Sequence, residues 1–136
     1  MSNEIGFAAS TEFKQFIVLA ISLGLNNLQQ EGSLIPMIVS ANNGEYTLCA
    51  LAVETNQVID AAANHIGERQ NEIDYYALIF NGKVDAQGLI TNAVIAQVGE
   101  HGSSHGHLLF QKYDPQTYDA LGAPEYGGTA EQLLGR

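Results

Sequence analysis

At 136 residues the chain has the size of one ordinary domain, long enough to bury roughly two-thirds of the surface it exposes when unfolded. Apolar residues make up 46% and charged residues 15%, a balance that excludes a disordered chain. Fifteen acids stand against five scattered bases, Lys14, Arg69, Lys83, Lys112 and Arg136, for a net charge of −10; this excludes nucleic-acid binding, which needs clustered cations, and opposes an anionic membrane surface.

Residues 1–9 read as a loose leader, and Ser10 or Thr11 can cap a helix running to about Gln30. Phe13, Phe16, Ile17, Ala20, Ile21, Leu23 and Leu28 recur at three- and four-residue spacing. Val18, Leu19 and Leu25 widen that stripe, which predicts a helix covered on more than one side. Its apolar run, residues 16–25, is too short to span a bilayer, and Glu4 and Glu12 stand where a secretion signal would carry a basic leader. Gly32 is the expected left-handed cap.

Residues 34–40 and 46–53 then read as two strands joined by a turn over residues 41–44, because Asn-Gly tolerates the positive φ of a tight hairpin. Pro36 hints at an edge or bulge, and both faces of the second strand are apolar enough to be partly covered. A second helix fits residues 57–70, capped by Thr55 or Asn56, with Val58, Ile59, Ala62 and Ile66 inward. The near-continuous apolar run 73–80 is a central strand ending in a second turn, Asn81-Gly82. Lys83 begins the return, Gln87-Gly88 is a candidate bulge, and residues 92–98 and 107–113 form further strands around a loop at 99–106. Residues 114–136 read as a loop-rich tail of the same domain, with a capping-box pattern at Thr129-Ala130-Glu131-Gln132 before a short helix.

These elements give an α+β domain: a single, mainly antiparallel sheet in the order α-β-β-α-β-β-β, with helices packed on it. The stretch YYALIFNGKVDAQGLITNAVIAQVGEHG, residues 75–102, resembles a motif of a family of small bacterial proteins of unknown function. Those proteins share the apolar first helix, the Pro-containing strand, the Asp/Asn-Gly turn and a strand ending near Glu-x-Gly, over residues 11–113. Where many of them have Arg-Thr-Asp-Ala, this chain has Ile90-Thr91-Asn92-Ala93. The element order is also similar to roadblock and profilin-like layouts, an analogy of fold that implies no activity.

Among residues that could carry chemistry, His101, His105 and His107 are the one cluster of metal-ligand type. His105 and His107 share a face if extended, and a tight turn can bring His101 toward them to make a Zn²⁺ site. The glycine- and serine-rich stretch around them equally describes a hairpin tip carrying exposed histidines. Cys49, mid-strand among apolar neighbours, excludes an intramolecular disulfide and lacks a cationic setting that would activate it. His65 reads as a helix-flank residue, and Ser103-Ser104-His105 lacks the context of a nucleophile elbow. No phosphate loop is present. Asp74, heading the central strand, and Tyr75, Tyr76, Tyr113, Tyr118 and Tyr126 are the remaining candidates for a site or a recognition surface.

The sequence therefore favours a cytoplasmic, non-enzymatic binding or adaptor domain acting on a protein partner, or on itself as a homodimer, through a sheet edge or the first helix. An acidic, immunity-type inhibitor of a basic protein and a small metal-binding protein are the alternatives.

Overall fold

The structure is a computed structural model that describes Phe7 and residues 9–134, without the side chains of Thr55, Gln70 and Ala86; most of the expected leader lies outside this range. Helix α1 spans Thr11–Glu31. The Ser10 hydroxyl accepts a bond from the Phe13 N–H at 3.1 Å, and Gly32, at φ 74°, closes the last turn through its N–H to the Leu28 carbonyl. The helix buries Phe13, Phe16, Ile17, Ala20, Ile21 and Leu28 against the sheet, while Val18 is 51% exposed. Most of its broad apolar surface is therefore absorbed within the chain.

Strands β1 (Met37–Asn42) and β2 (Glu45–Ala50) form the first hairpin, turning at Asn43 (φ 53°) and Gly44 (φ 84°). Pro36 stays outside the ladder and contributes only its carbonyl, which accepts from the Leu51 N–H at 2.7 Å. The partial cover expected over residues 46–53 reaches only Cys49 and Leu51: residues 45–48 are exposed, because β2 ends the sheet and α1 packs mainly on the two central strands. A 3₁₀ turn, Thr55–Gln57, leads into α2 (Val58–Glu68), so the helix begins at Val58 and Gln57 takes the N-cap position without a side-chain bond. The cap expected from Asn56 is therefore displaced, and the one expected from Thr55 falls on an undescribed side chain.

Strands β3 (Tyr75–Ala86) and β4 (Leu89–Glu100) form a long hairpin that turns at Gln87 (φ 55°) and Gly88 (φ 82°). This corrects two expectations, since Asn81-Gly82 lies inside β3 and Gln87-Gly88 is the turn rather than a bulge. Gly82 is small for packing reasons: a Cβ there would stand 2.3 Å from Ile95 Cδ1. Asn81 accepts a bond from the Tyr113 hydroxyl at 2.7 Å. Strand β5 (Gly106–Lys112) follows, and then β6 (Glu125–Ala130), which replaces the predicted loop and places Thr129 and Ala130 in a ladder rather than at a helix cap. Gly127 admits the Phe110 ring, 2.6 Å from where a Cβ would sit. Two buried glutamines order the tail, Gln97 donating to the Glu131 carbonyl and Gln111 to that of Gly122, both at 3.0 Å.

The six strands form one antiparallel sheet in the order β2-β1-β3-β4-β5-β6. Alternation along the strands makes two cores. Met37, Val39, Ala77, Ile79, Val94 and Ala96 face α1; Ile38, Tyr76 and Leu78 face α2 together with Leu133 and Leu134. Among the described residues no helix is long and apolar enough to cross a membrane.

Candidate functional site

A concavity lies where the N-terminal turn of α1, the β1–β2 turn and the start of β3 converge. Asp74 organises it. Its N–H donates to the Ala41 carbonyl (2.7 Å), its own carbonyl accepts from the His101 N–H (2.8 Å), and its Oδ2 accepts from the Asn43 N–H (2.8 Å). The carboxylate thus satisfies an amide that the tight turn would leave open.

The resulting hollow has a volume of about 250 Å³ and is lined by Phe16, Tyr46, Tyr75, Glu12 and Asp74, among others, with no basic side chain in its wall. Phe16 lies 5.6 Å from Tyr75 and 6.1 Å from Tyr46 between ring centroids, and Phe13 stacks behind Tyr75 at 5.0 Å. The Tyr46 ring, 52% exposed, forms the outer lip.

That lip belongs to the edge strand. In a hairpin closed by a two-residue turn, the residues flanking the turn form a hydrogen-bonded pair, so Glu45, Thr47 and Cys49 point their amides at β1. The Leu51 N–H, in the same phase, does bond inward to Pro36. The amides and carbonyls of Tyr46, Leu48 and Ala50 therefore face outward, and among the described residues no strand lies beyond them. Tyr46 and Leu48 are each 52% exposed, and β2 contains none of the proline, lysine or bulge devices that commonly blunt an edge.

The histidine cluster is arranged differently. The His105 and His107 rings meet edge to face, with centroids 5.1 Å apart. His107 stacks on Phe7 at 3.7 Å and shares a 3.0 Å hydrogen bond between Nδ1 and the Tyr126 hydroxyl. Burial, and then the neighbouring His105, push its pKa below the ordinary value. His101 and His105 are exposed, and no group of three or more His, Cys, Asp or Glu among the described residues is placed to hold a metal ion.

The remaining candidates disperse. His65 sits 3.3 Å from Arg69 Nη1, and burial followed by that guanidinium lowers its pKa. Cys49 is half-buried with Sγ 3.6 Å from the Ala50 carbonyl. Tyr76 is fully buried, and its hydroxyl accepts from the Leu133 N–H at 3.0 Å. Tyr113 is also in the core, whereas Tyr118 leans on the end of α1, 3.5 Å from the Gly32 carbonyl. Of the lining residues, Asp74 and Tyr75 are among the sequence candidates whereas Tyr46 and Glu12 are not; the one sequence signal for Tyr46 is its place two residues after the Asn43-Gly44 turn. Compared with family models, curated proteins and solved structures, the chain matches none.

Proposed function

We propose that the chain is a non-enzymatic cytoplasmic binding domain that takes an extended, basic segment of a protein partner as an added strand along β2. The observation that carries this reading is the unpaired outer side of β2, with the backbone groups of Tyr46, Leu48 and Ala50 turned outward beside two half-exposed apolar side chains. Strand addition draws its affinity from main-chain bonds and its specificity from alternate side chains. Charge selects the occupant: a chain of net charge −10, with Glu45 at the end of this strand and Glu12 and Asp74 beside it, attracts a basic segment and repels a second copy of itself.

The test uses synthetic extended peptides of alternating Thr and Val carrying either lysines or glutamates, with amide exchange of the chain followed by NMR. The lysine peptide should slow exchange at Tyr46, Leu48 and Ala50, and this protection should weaken with salt. Leu48→Pro removes an outward donor, together with the Leu48 side chain, while leaving the bonds to β1 in place, and should abolish the protection at Tyr46 and Ala50. Unchanged exchange in β2, equal protection by the glutamate peptide, or a β2-paired dimer of the chain alone in light scattering would refute the proposal.

A further inference from the structure

The geometry points to the hollow beside Tyr46 as a receptor for one basic side chain, the ammonium or guanidinium of a lysine or arginine on the incoming segment. The inference rests on the strand-addition reading and adds to it the residue that the partner must carry.

Tyr46 and Tyr75 line one space of about 250 Å³ with the buried Phe16 ring packed behind them, and Glu12 and Asp74 place two carboxylates on its wall. A cation beside tyrosine rings is drawn by their π-electrons, and the carboxylates balance its charge. With no basic side chain in the wall, that role is unfilled among the lining residues. The volume suits one long side chain rather than a folded ligand. Continuity with the edge supplies the delivery: the Tyr46 side chain projects to the α1 face, as does that of Ala41 opposite it, and a residue paired across from Tyr46 in an added strand stands about 5 Å away, within reach of the hollow.

The variant Glu12→Gln with Asp74→Asn removes both charges while keeping their shape, and an asparagine carbonyl at position 74 still accepts the Asn43 N–H. Peptides of alternating Thr and Val, identical except for one lysine or one norleucine scanned along the strand, are titrated against the full chain and this variant, with Tyr46 and Tyr75 signals followed by NMR. In one register the lysine peptide should bind the unmodified chain about tenfold more tightly than its norleucine counterpart, and the variant should erase the difference. Equal affinity for the two peptides, or a preference that survives in the variant, overturns the inference.

The two readings fail separately. If the norleucine peptide still protects the β2 amides while the lysine preference is missing, strand addition stands and the cation site falls. If neither peptide protects β2, N-acetyl-lysine methylamide tests the hollow alone: saturable shifts at Tyr46 and Tyr75 that the variant abolishes support it, and their absence overturns it.

Discussion

Replacing Tyr76 with phenylalanine isolates one hydrogen bond inside the second core. The ring keeps its place against Gly99, and only the hydroxyl that accepts from Leu133 N–H is lost. Leu133 is fully buried, so no water reaches the abandoned amide, and an unsatisfied buried donor costs about 1–3 kcal/mol. That is a large share of the 5–15 kcal/mol typical of a domain. Urea unfolding should show a lower midpoint at unchanged slope, and the Leu133 amide should exchange faster. The alkaline limb gives a second signature. Burial, partly countered by the bond from Leu133, pushes the Tyr76 phenol up to about 12 from 10.0. Because the folded value lies above the unfolded one, the corresponding stability is fully present below pH 10 and is lost as pH rises through 12. This amounts to about 3 kcal/mol at full ionisation. Phenylalanine has no such limb, so the gap between the two proteins should narrow above pH 10. Coincident midpoints at neutral pH together with a constant gap in alkali would refute this account.

Two glycine substitutions should move stability in opposite directions. At Gly99 a methyl would stand 2.3 Å from Tyr76 Cε1, so Gly99→Ala should cost about 1–3 kcal/mol in urea unfolding. At Gly67, exposed in α2 with nothing within 4 Å, Gly67→Ala should stabilise by about 0.4–1 kcal/mol; a loss there would contradict the helical geometry. The histidines predict an acid limb. His107 and His65 both have folded-state values below 6.5, so the stability linked to their neutral forms is complete above pH 6.5 and declines as pH falls below it. His107→Gln should flatten that decline, and parallel pH profiles would exclude His107 as a contributor.

The elements legible in the sequence were those whose signals are local. Ser10 and Gly32 bracket α1 because capping depends on a hydroxyl and a left-handed residue at defined places, and Asn43-Gly44 turns because both residues adopt positive φ. Asn81-Gly82 carries the same letters for a different reason, the closeness of Ile95, which only the pairing of β3 with β4 creates. Strand β6 was hidden likewise: Gly127 and Gly128 read as breakers until the Phe110 ring and the irregular register at Leu108 and Leu109 explain them. Of the hollow, Asp74 and Tyr75 could be suspected as a carboxylate and an aromatic heading a strand. Glu12 joins them from more than sixty residues away, a proximity set by α1 lying across the sheet.

The long β3–β4 hairpin outruns its neighbours. Pairing with β1 stops at Ile79 and contact with β5 begins at Asn92 and Ala93, so residues 84–91 form a two-stranded ribbon projecting from the sheet, with Leu89 and Ile90 largely exposed at its end. A ribbon of two strands has little stability of its own. This arm contributes no residue to either core, so opening, nicking or lengthening it at Gln87-Gly88 should leave both cores closed.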